Sequence, residues 1–279
     1  MARDTTNQIT PNRILTNVYD ADGLFIYTSE GATERDQAAG RISGLTNLNK
    51  FGQTGADVDT ADGLVDVWSG VADSNAAKNY TYSTTADIDT ISSSDSGDTQ
   101  DIMITGLDEN WLEVTQTITL TGQSKVTLGT PLIRVYRMIN VGSSDLSGNV
   151  YCYVDTTISG GVPTTAAPIR AIITNGYNQT LMCLYTVPAD KYLYLYKGEA
   201  ALTSRVAGYA DGTFDVRPFG GVFQTKRTFG LSTTGSSYIN VLFPQPLYIP
   251  PKSDLRVRIS GSVNNMGAVA SFIGVLEDV

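Results

Sequence analysis

Period-two alternation of apolar and polar residues, repeated from about Asp101 to Val279, limits what this chain can fold into more than any other feature. In Leu112 to Leu120, positions Leu112, Val114, Gln116, Ile118 and Leu120 alternate with Glu113, Thr115, Thr117 and Thr119, the pattern of a half-buried β-strand. Ile133, Val135, Arg137, Ile139 and Val141 alternate in the same way with Arg134, Tyr136, Met138 and Asn140. Short runs of this kind are separated by Gly, Asn, Ser and Pro, the residues that turn a chain. Gly122 to Lys125 reads as a hairpin turn before Val126 to Leu128. The fold class is therefore all-β.

A chain of 279 residues can bury one large core or two of ordinary size, and two β-domains are the first expectation. The sequence divides into an extended or partly helical N-terminal arm at residues 1-54, an acidic β-domain at 55-165 and a C-terminal β-sandwich at 166-279. The arm has only short apolar runs, Ile14 to Val18 and Leu24 to Tyr27, and cannot make a core of its own, so it is expected to pack on a partner. Gly160 to Pro168 has the composition of a linker and marks the boundary between two jelly-roll-like sandwiches. The second block offers about eight strands, the number such a sandwich needs. Pro244, Pro246, Pro250 and Pro251 keep the stretch after Phe243 out of a central strand, because proline cannot donate to a ladder.

Charge is unevenly spread. Residues 1-54 carry five basic and six acidic side chains, 55-165 four basic and fifteen acidic, and 166-279 ten basic and seven acidic. The middle segment, at a net charge of -11, is unsuited to phosphate, so nucleic acid is not expected as a partner. No run of about 18 apolar residues occurs and the first ten residues lack a basic-then-apolar leader, so neither membrane insertion nor export is expected. Cys152 and Cys183 sit inside apolar alternating runs and read as buried free thiols, which suits assembly in a reducing cytoplasm; a disulfide between adjacent strands is the other reading.

Chemistry is limited by the complete lack of histidine. Ser-His and Cys-His triads, His-ligated zinc and a His general base are excluded, and two separated cysteines cannot make a thiolate zinc site. Paired carboxylates about 5 to 9 Å apart could still cleave a glycosidic bond, and acidic residues are abundant, but a sequence does not pair them in space; the chain is read as a non-enzyme without cofactor. Asp57, Asp59 and Asp62 before Gly63 resemble part of a calcium loop, one residue off the usual spacing and without its terminal Glu; a plain Asp-rich turn is the other reading. Tyr192, Tyr194 and Tyr196 line one face of a strand whose other face carries Leu193 and Leu195. Such a stripe serves interior packing, a subunit contact or a sugar platform. With Phe51 and Arg41 of the arm, these tyrosines are the candidate interface residues.

Several phrases in order give the chain a family likeness. They are Asn49-Lys50-Phe51-Gly52 with the Asp-rich run to Trp68, then Ile104-Thr105-Gly106-Leu107-Asp108-Glu109-Asn110 through Leu120-Thr121-Gly122 to Leu132-Ile133-Arg134-Val135-Tyr136-Arg137. The last is Arg217-Pro218-Phe219-Gly220-Gly221-Val222-Phe223 through Pro250-Pro251-Lys252-Ser253-Asp254-Leu255-Arg256-Val257-Arg258 to Asn264-Asn265. In these the chain resembles a family of virion structural proteins of tailed phages from marine and freshwater bacteria. The resemblance spans most of residues 49-279 and implies a virion component, with no catalytic motif to carry over. Within a virion, the expected role is a head decoration or cement protein, bound to the major capsid protein on the head exterior and associating with itself; a trimer would suit three-fold lattice positions. A tail adaptor, fibre or receptor-binding protein is the alternative.

Overall fold

The computed structural model describes residues 18–19, 25–26, 35–203 and 207–279. Contacts divide the chain into two units, Met1–Asn47 and Leu48–Val279. In the first, β1 (Val18–Tyr19) pairs antiparallel with β2 (Phe25–Ile26), one strand from each short run read in the sequence. Residues 35–38 form a helical turn, and Arg41 donates to Asp36 at 2.8 Å. The rest of the arm before residue 35 lies outside the described residues.

The second unit is antiparallel β-structure throughout. It opens with β3 (Leu45–Gln53), of which residues 48–53 belong to this unit, and β4 (Val65–Asp66). Then come β5 (Ile88–Ser93), β6 (Asp101–Leu107), β7 (Glu113–Thr119), β8 (Val126–Leu132) and β9 (Arg134–Asn140). They are followed by β10 (Val150–Val154), β11 (Ile158–Ser159), β12 (Val162–Pro163) and β13 (Ile169–Ile173). The C-terminal part holds β14 (Leu184–Thr186), β15 (Lys191–Leu202), β16 (Tyr209–Arg217) and β17 (Gln224–Ser232). The last strands are β18 (Tyr238–Ile249), β19 (Asp254–Gly261) and β20 (Ala268–Asp278).

Sheets β13-β10-β5-β8 and β7-β6-β9 make the first layer pair. The alternation is realised within β7, with Val114, Gln116 and Ile118 half-buried and the intervening residues exposed, whereas Leu112, read on the inward face, lies before the strand and is exposed. Its partner β6 buries Ile102 and Ile104 completely. Strand β9 departs from the expected pattern because both its faces are covered: Arg134, Val135, Tyr136 and Met138 are all buried. Cys152 and Cys183 are buried and unpaired, as the sequence suggested.

Sheets β18-β15-β20-β3 and β14-β19-β16-β17 form the second sandwich. Leu193, Leu195 and Phe272 from one sheet meet Phe214, Leu255 and Val257 from the other, with the Phe214 and Phe272 rings 6.0 Å apart. Burying each such side chain contributes about 1.5–3 kcal/mol. Strand β18 lies at the edge of its sheet, where Pro244 and Pro246 leave no ladder bond unmade.

Two expected boundaries do not match the contacts. Residues 160–168 are not a linker between domains: β11 and β12 form a ribbon turned by Gly160 and Gly161 at φ 56 and 77. Strand β13, beyond that stretch, then pairs with β10 before it. Gly-rich composition suits a tight hairpin as well as a linker, since both need backbone freedom. Likewise β4 pairs with β19, and one hydrophobic cluster runs through the whole second unit. Nor does the arm end at residue 54, because β3 pairs with β20 and completes the second sandwich. A seam of buried charge joins the two layer pairs: Arg134 on β9 donates to Asp254 on β19 at 2.9 Å.

Candidate interaction face

Strand β15 places Leu193 and Leu195 in the sandwich interior at 0% and 1% exposure, which sends Tyr192 and Tyr194 outward. The registers of β15 with β18 and with β20 both shift between Leu195 and Lys197. This bulge leaves Tyr196 without a cross-strand partner and 44% exposed. All three tyrosines therefore lie on the side away from the core, which removes interior packing from the alternatives. Across the ladder Tyr194 faces Tyr248, and the Tyr248 ring lies 5.8 Å from Tyr194 and 5.6 Å from Tyr192. Glu277, bonded to the Tyr194 hydroxyl, pushes that hydroxyl's pKa up.

Further along the same face, the register brings Leu242, Lys197 and Ile273 into one row, and Asn240, Glu199 and Ser271 into the next. Glu199 accepts hydrogen bonds from Tyr238 at 2.7 Å and Ser271 at 3.2 Å, and Lys197 Nζ lies 2.6 Å away. Lys197, then Tyr238, hold the Glu199 carboxyl below its ordinary range. Beside this cluster opens an apolar groove of about 260 Å³, lined by Phe51, Tyr238, Val269 and Ala201 among others. Phe51 reaches it because β3 turns Leu48, Lys50 and Gly52 inward. One sheet face thus gathers the tyrosine stripe at one end and Phe51 at the other. Arg41 belongs to the other compact unit, where Asp36 engages it.

This face carries large apolar and aromatic side chains that are exposed. Leu242 is 66% exposed, Tyr248 50% and Tyr238 49%. Neither Tyr238, Leu242 nor Tyr248 was singled out in the sequence. Their signal was present in the alternation of β18, whose inward Ile239, Val241 and Phe243 leave Tyr238 and Leu242 on the other side.

Other sequence candidates resolve into structure. The Asp-rich turn closes on Lys78, whose ammonium lies 2.8 Å from Asp62, 2.6 Å from the Asp57 carbonyl and 3.5 Å from the Asp57 carboxylate. Asp62 also accepts from the Asp59 N–H at 2.7 Å. A side-chain cation occupies the position a calcium reading would require, so these carboxylates form a self-satisfied turn. Burial pushes the Cys152 thiol up to about 12 and the Cys183 thiol well up, so neither is a thiolate at neutral pH. Among the described residues no three His, Cys, Asp or Glu side chains gather as metal ligands, and no helix is long and apolar enough to cross a membrane.

The sequence reading also missed the charged seam. Asp254 receives Arg134 and Arg217, both at 2.9 Å from Nε, and Thr186 at 2.6 Å. Arg256 reaches Asp215 at 3.2 Å and stacks on Phe223 at 3.8 Å from the ring centre. Asp66, fully buried, accepts from the Tyr80 N–H at 2.7 Å, with Arg256 and Arg258 at 3.7 and 3.8 Å. Burial nevertheless pushes its carboxyl up to about 6. Every acid here has a cation or backbone donor beside it, an arrangement that fixes geometry.

Neither a protein-family model nor a curated protein matches this chain. Among solved structures, the VP2 subviral particle of infectious bursal disease virus aligns at 15% identity, covering 84% of this chain and 72% of that one with a TM-score of 0.19. The Gx strain of the same virus aligns at 13% identity over the same shares with a TM-score of 0.21. Scores at that level carry no argument about function. What the chain establishes by itself is an all-β fold with an exposed aromatic face.

Proposed function

We propose that this chain is a non-enzymatic structural protein of a virion, specifically a head decoration or cement protein of a tailed phage. The observation that carries the reading is the outer face of β18-β15-β20-β3, where Tyr192, Tyr194, Tyr196, Tyr238 and Tyr248 share one surface with Leu242 and Phe51. Tyrosine offers large apolar area at low entropic cost, and contiguous exposed apolar surface marks association sites. The family resemblance of residues 49-279 supplies the setting. In that setting the face binds the major capsid protein or a second copy on the head exterior and ties neighbouring capsomers against the outward push of packaged DNA. Self-association around a three-fold position gives a trimer.

The test uses purified particles. Tyr196→Asp/Tyr248→Asp should fold normally yet be missing from particles, whereas removal of residues 1–44 keeps β3 and leaves a folded second unit to assay. Normal incorporation of the double variant would refute the assignment of the face. A tail role is the second reading, favoured by the Tyr192-Tyr248-Tyr194 cluster beside Glu277, which has the aromatic and acceptor groups of a sugar platform. Copy number separates them, since a head protein follows the lattice in hundreds of copies and a tail protein follows a small ring. Specific retention on a glycan array lost with Tyr248→Ala would favour the tail.

A further inference from the structure

Between Asp215 and Asp254 the chain contains no acidic residue, while Arg217, Lys226, Arg227 and Lys252 are basic. This stretch includes the edge strands β17 and β18 and the turn between β16 and β17. Gly221 N–H donates to the Pro218 carbonyl at 2.9 Å with Gly220 at φ 72, the geometry of a type II turn, which presents Phe219 and Val222 to solvent. They are 62% and 73% exposed. The turn is nonetheless held firmly. The Phe219 ring meets Trp111 edge-on at 5.4 Å, the Lys252 ammonium lies 5.2 Å from its centre, and Phe223 is stacked under Arg217 and Arg256.

Two of these supports have unusual backbones. Trp111 has φ 64 and Lys252 has φ 60, in a region that bulky residues rarely occupy. Asp108 stabilises the first by accepting from the Asn110 and Leu112 N–H groups at 2.9 Å each. Strain maintained on both sides of an exposed aromatic side chain holds it in a fixed pose, which lowers the entropic cost of binding. Lys226 and Arg227 on β17 are exposed, and with Lys252 they make no ion pair among the described residues.

The complementary charge is on the same chain. Of the fifteen acidic residues in 55–165, only Asp57, Asp62, Asp66 and Asp155 are ion-paired among the described residues. Asp101 and Asp145 are exposed and Asp95 is partly so. The Gln100 side chain, next to Asp101, donates to the Asp145 carbonyl at 2.8 Å, which brings these loops together. Glu109, also exposed, lies instead in the turn of Trp111, beside Phe219. Segregated charge of opposite sign on one chain favours head-to-tail contact between copies.

We propose that the braced turn at residues 218–223, with Lys226, Arg227 and Lys252, is a second contact site that docks on the acidic surface of residues 55–165 of another copy. It is distinct from the tyrosine face and independent of the virion reading. A chain with two different contact surfaces builds arrays, whereas one self-complementary surface closes a dimer.

Sedimentation velocity of the full chain over a concentration series, at 50 and 300 mM salt, tests this. Association should weaken at least about tenfold on raising salt, and by a similar factor in Phe219→Ser/Val222→Ser and in Lys226→Glu/Arg227→Glu, with circular dichroism unchanged. Carbodiimide cross-linking of mixed isotope-labelled and unlabelled copies should join Lys226 or Lys252 of one copy to acidic residues of 55–165 in the other. A chain that stays monomeric at every salt overturns the proposal. So does association that neither double variant weakens. Salt-sensitive binding of an oligonucleotide by a monomeric chain, lost in Lys226→Glu/Arg227→Glu, would overturn it in favour of phosphate recognition.

Discussion

The seam around Asp254 and the outer face of β15 and β18 treat side chains in opposite ways. At the seam, Arg134, Asp66, Asp215 and Asp254 are charged or polar and almost wholly buried. On the face, Tyr238, Leu242 and Tyr248 are apolar or aromatic and half exposed or more. Buried charge survives only where partners are fixed, so the seam welds the two layer pairs into one unit. Exposed apolar surface persists where a partner covers it, and association is the role proposed for this face. Stability should therefore be sensitive at the seam and nearly indifferent at the face, with particle attachment showing the reverse.

The largest effect expected is at the seam. Asp254→Ala leaves Arg134, Arg217 and Thr186 facing an empty site and should cost about 3–5 kcal/mol, read from denaturant unfolding. A loss below about 1 kcal/mol would mean that the seam is not a weld. Next comes Gly52→Ala, whose new Cβ would lie 2.3 Å from the Cys183 nitrogen and 2.6 Å from the Val67 oxygen. Backbone cannot yield as a side chain does, and destabilisation of about 1–3 kcal/mol is expected.

Titration provides a third comparison. Lys50 is buried, donates to the Tyr136 carbonyl, and has its pKa lowered from 10.5 to about 7, chiefly by desolvation and then by Arg137. Below pH 7 both folded and unfolded chains carry the charge, and the folded state bears its full burial cost. Between pH 7 and about 10 the unfolded chain binds the extra proton, so stability should rise with pH. Lys50→Met should flatten that rise in a series of urea midpoints. Asp66 acts at the acid end: its pKa is raised from 3.8 to about 6, so its contribution is full below pH 3.8 and is lost by pH 6.

How much was legible in the sequence depends on which face of a strand held the information. Val114, Gln116 and Ile118 alternate as the fold requires, and Pro244 and Pro246 correctly exclude β18 from a sheet centre. Strand β3 was invisible because its inward positions are Leu48, Lys50 and Gly52. Lysine and glycine carry no apolar signal, and glycine is needed there only because another backbone approaches it. The domain boundary failed for a related reason: local composition reports a turn but not which strand the chain joins after it. Among the site residues, the tyrosine stripe was readable as a stripe, whereas its companions Tyr238 and Tyr248 depend on the long-range pairing of β15 with β18.

The smallest stability changes are expected at the surface. Tyr248→Ser removes cross-strand aromatic contact and should cost about 0.2–1 kcal/mol in a thermal melt, with a far larger loss in particle attachment. Lys78→Ala frees the Asp57–Asp62 turn for less than about 1 kcal/mol.

Electron cryomicroscopy of purified particles at side-chain resolution tests the central claim most directly. The account predicts the chain on the head with a neighbouring subunit packed against Tyr196, Tyr238, Leu242 and Tyr248. A chain bound to the particle with that face open to solvent would contradict it.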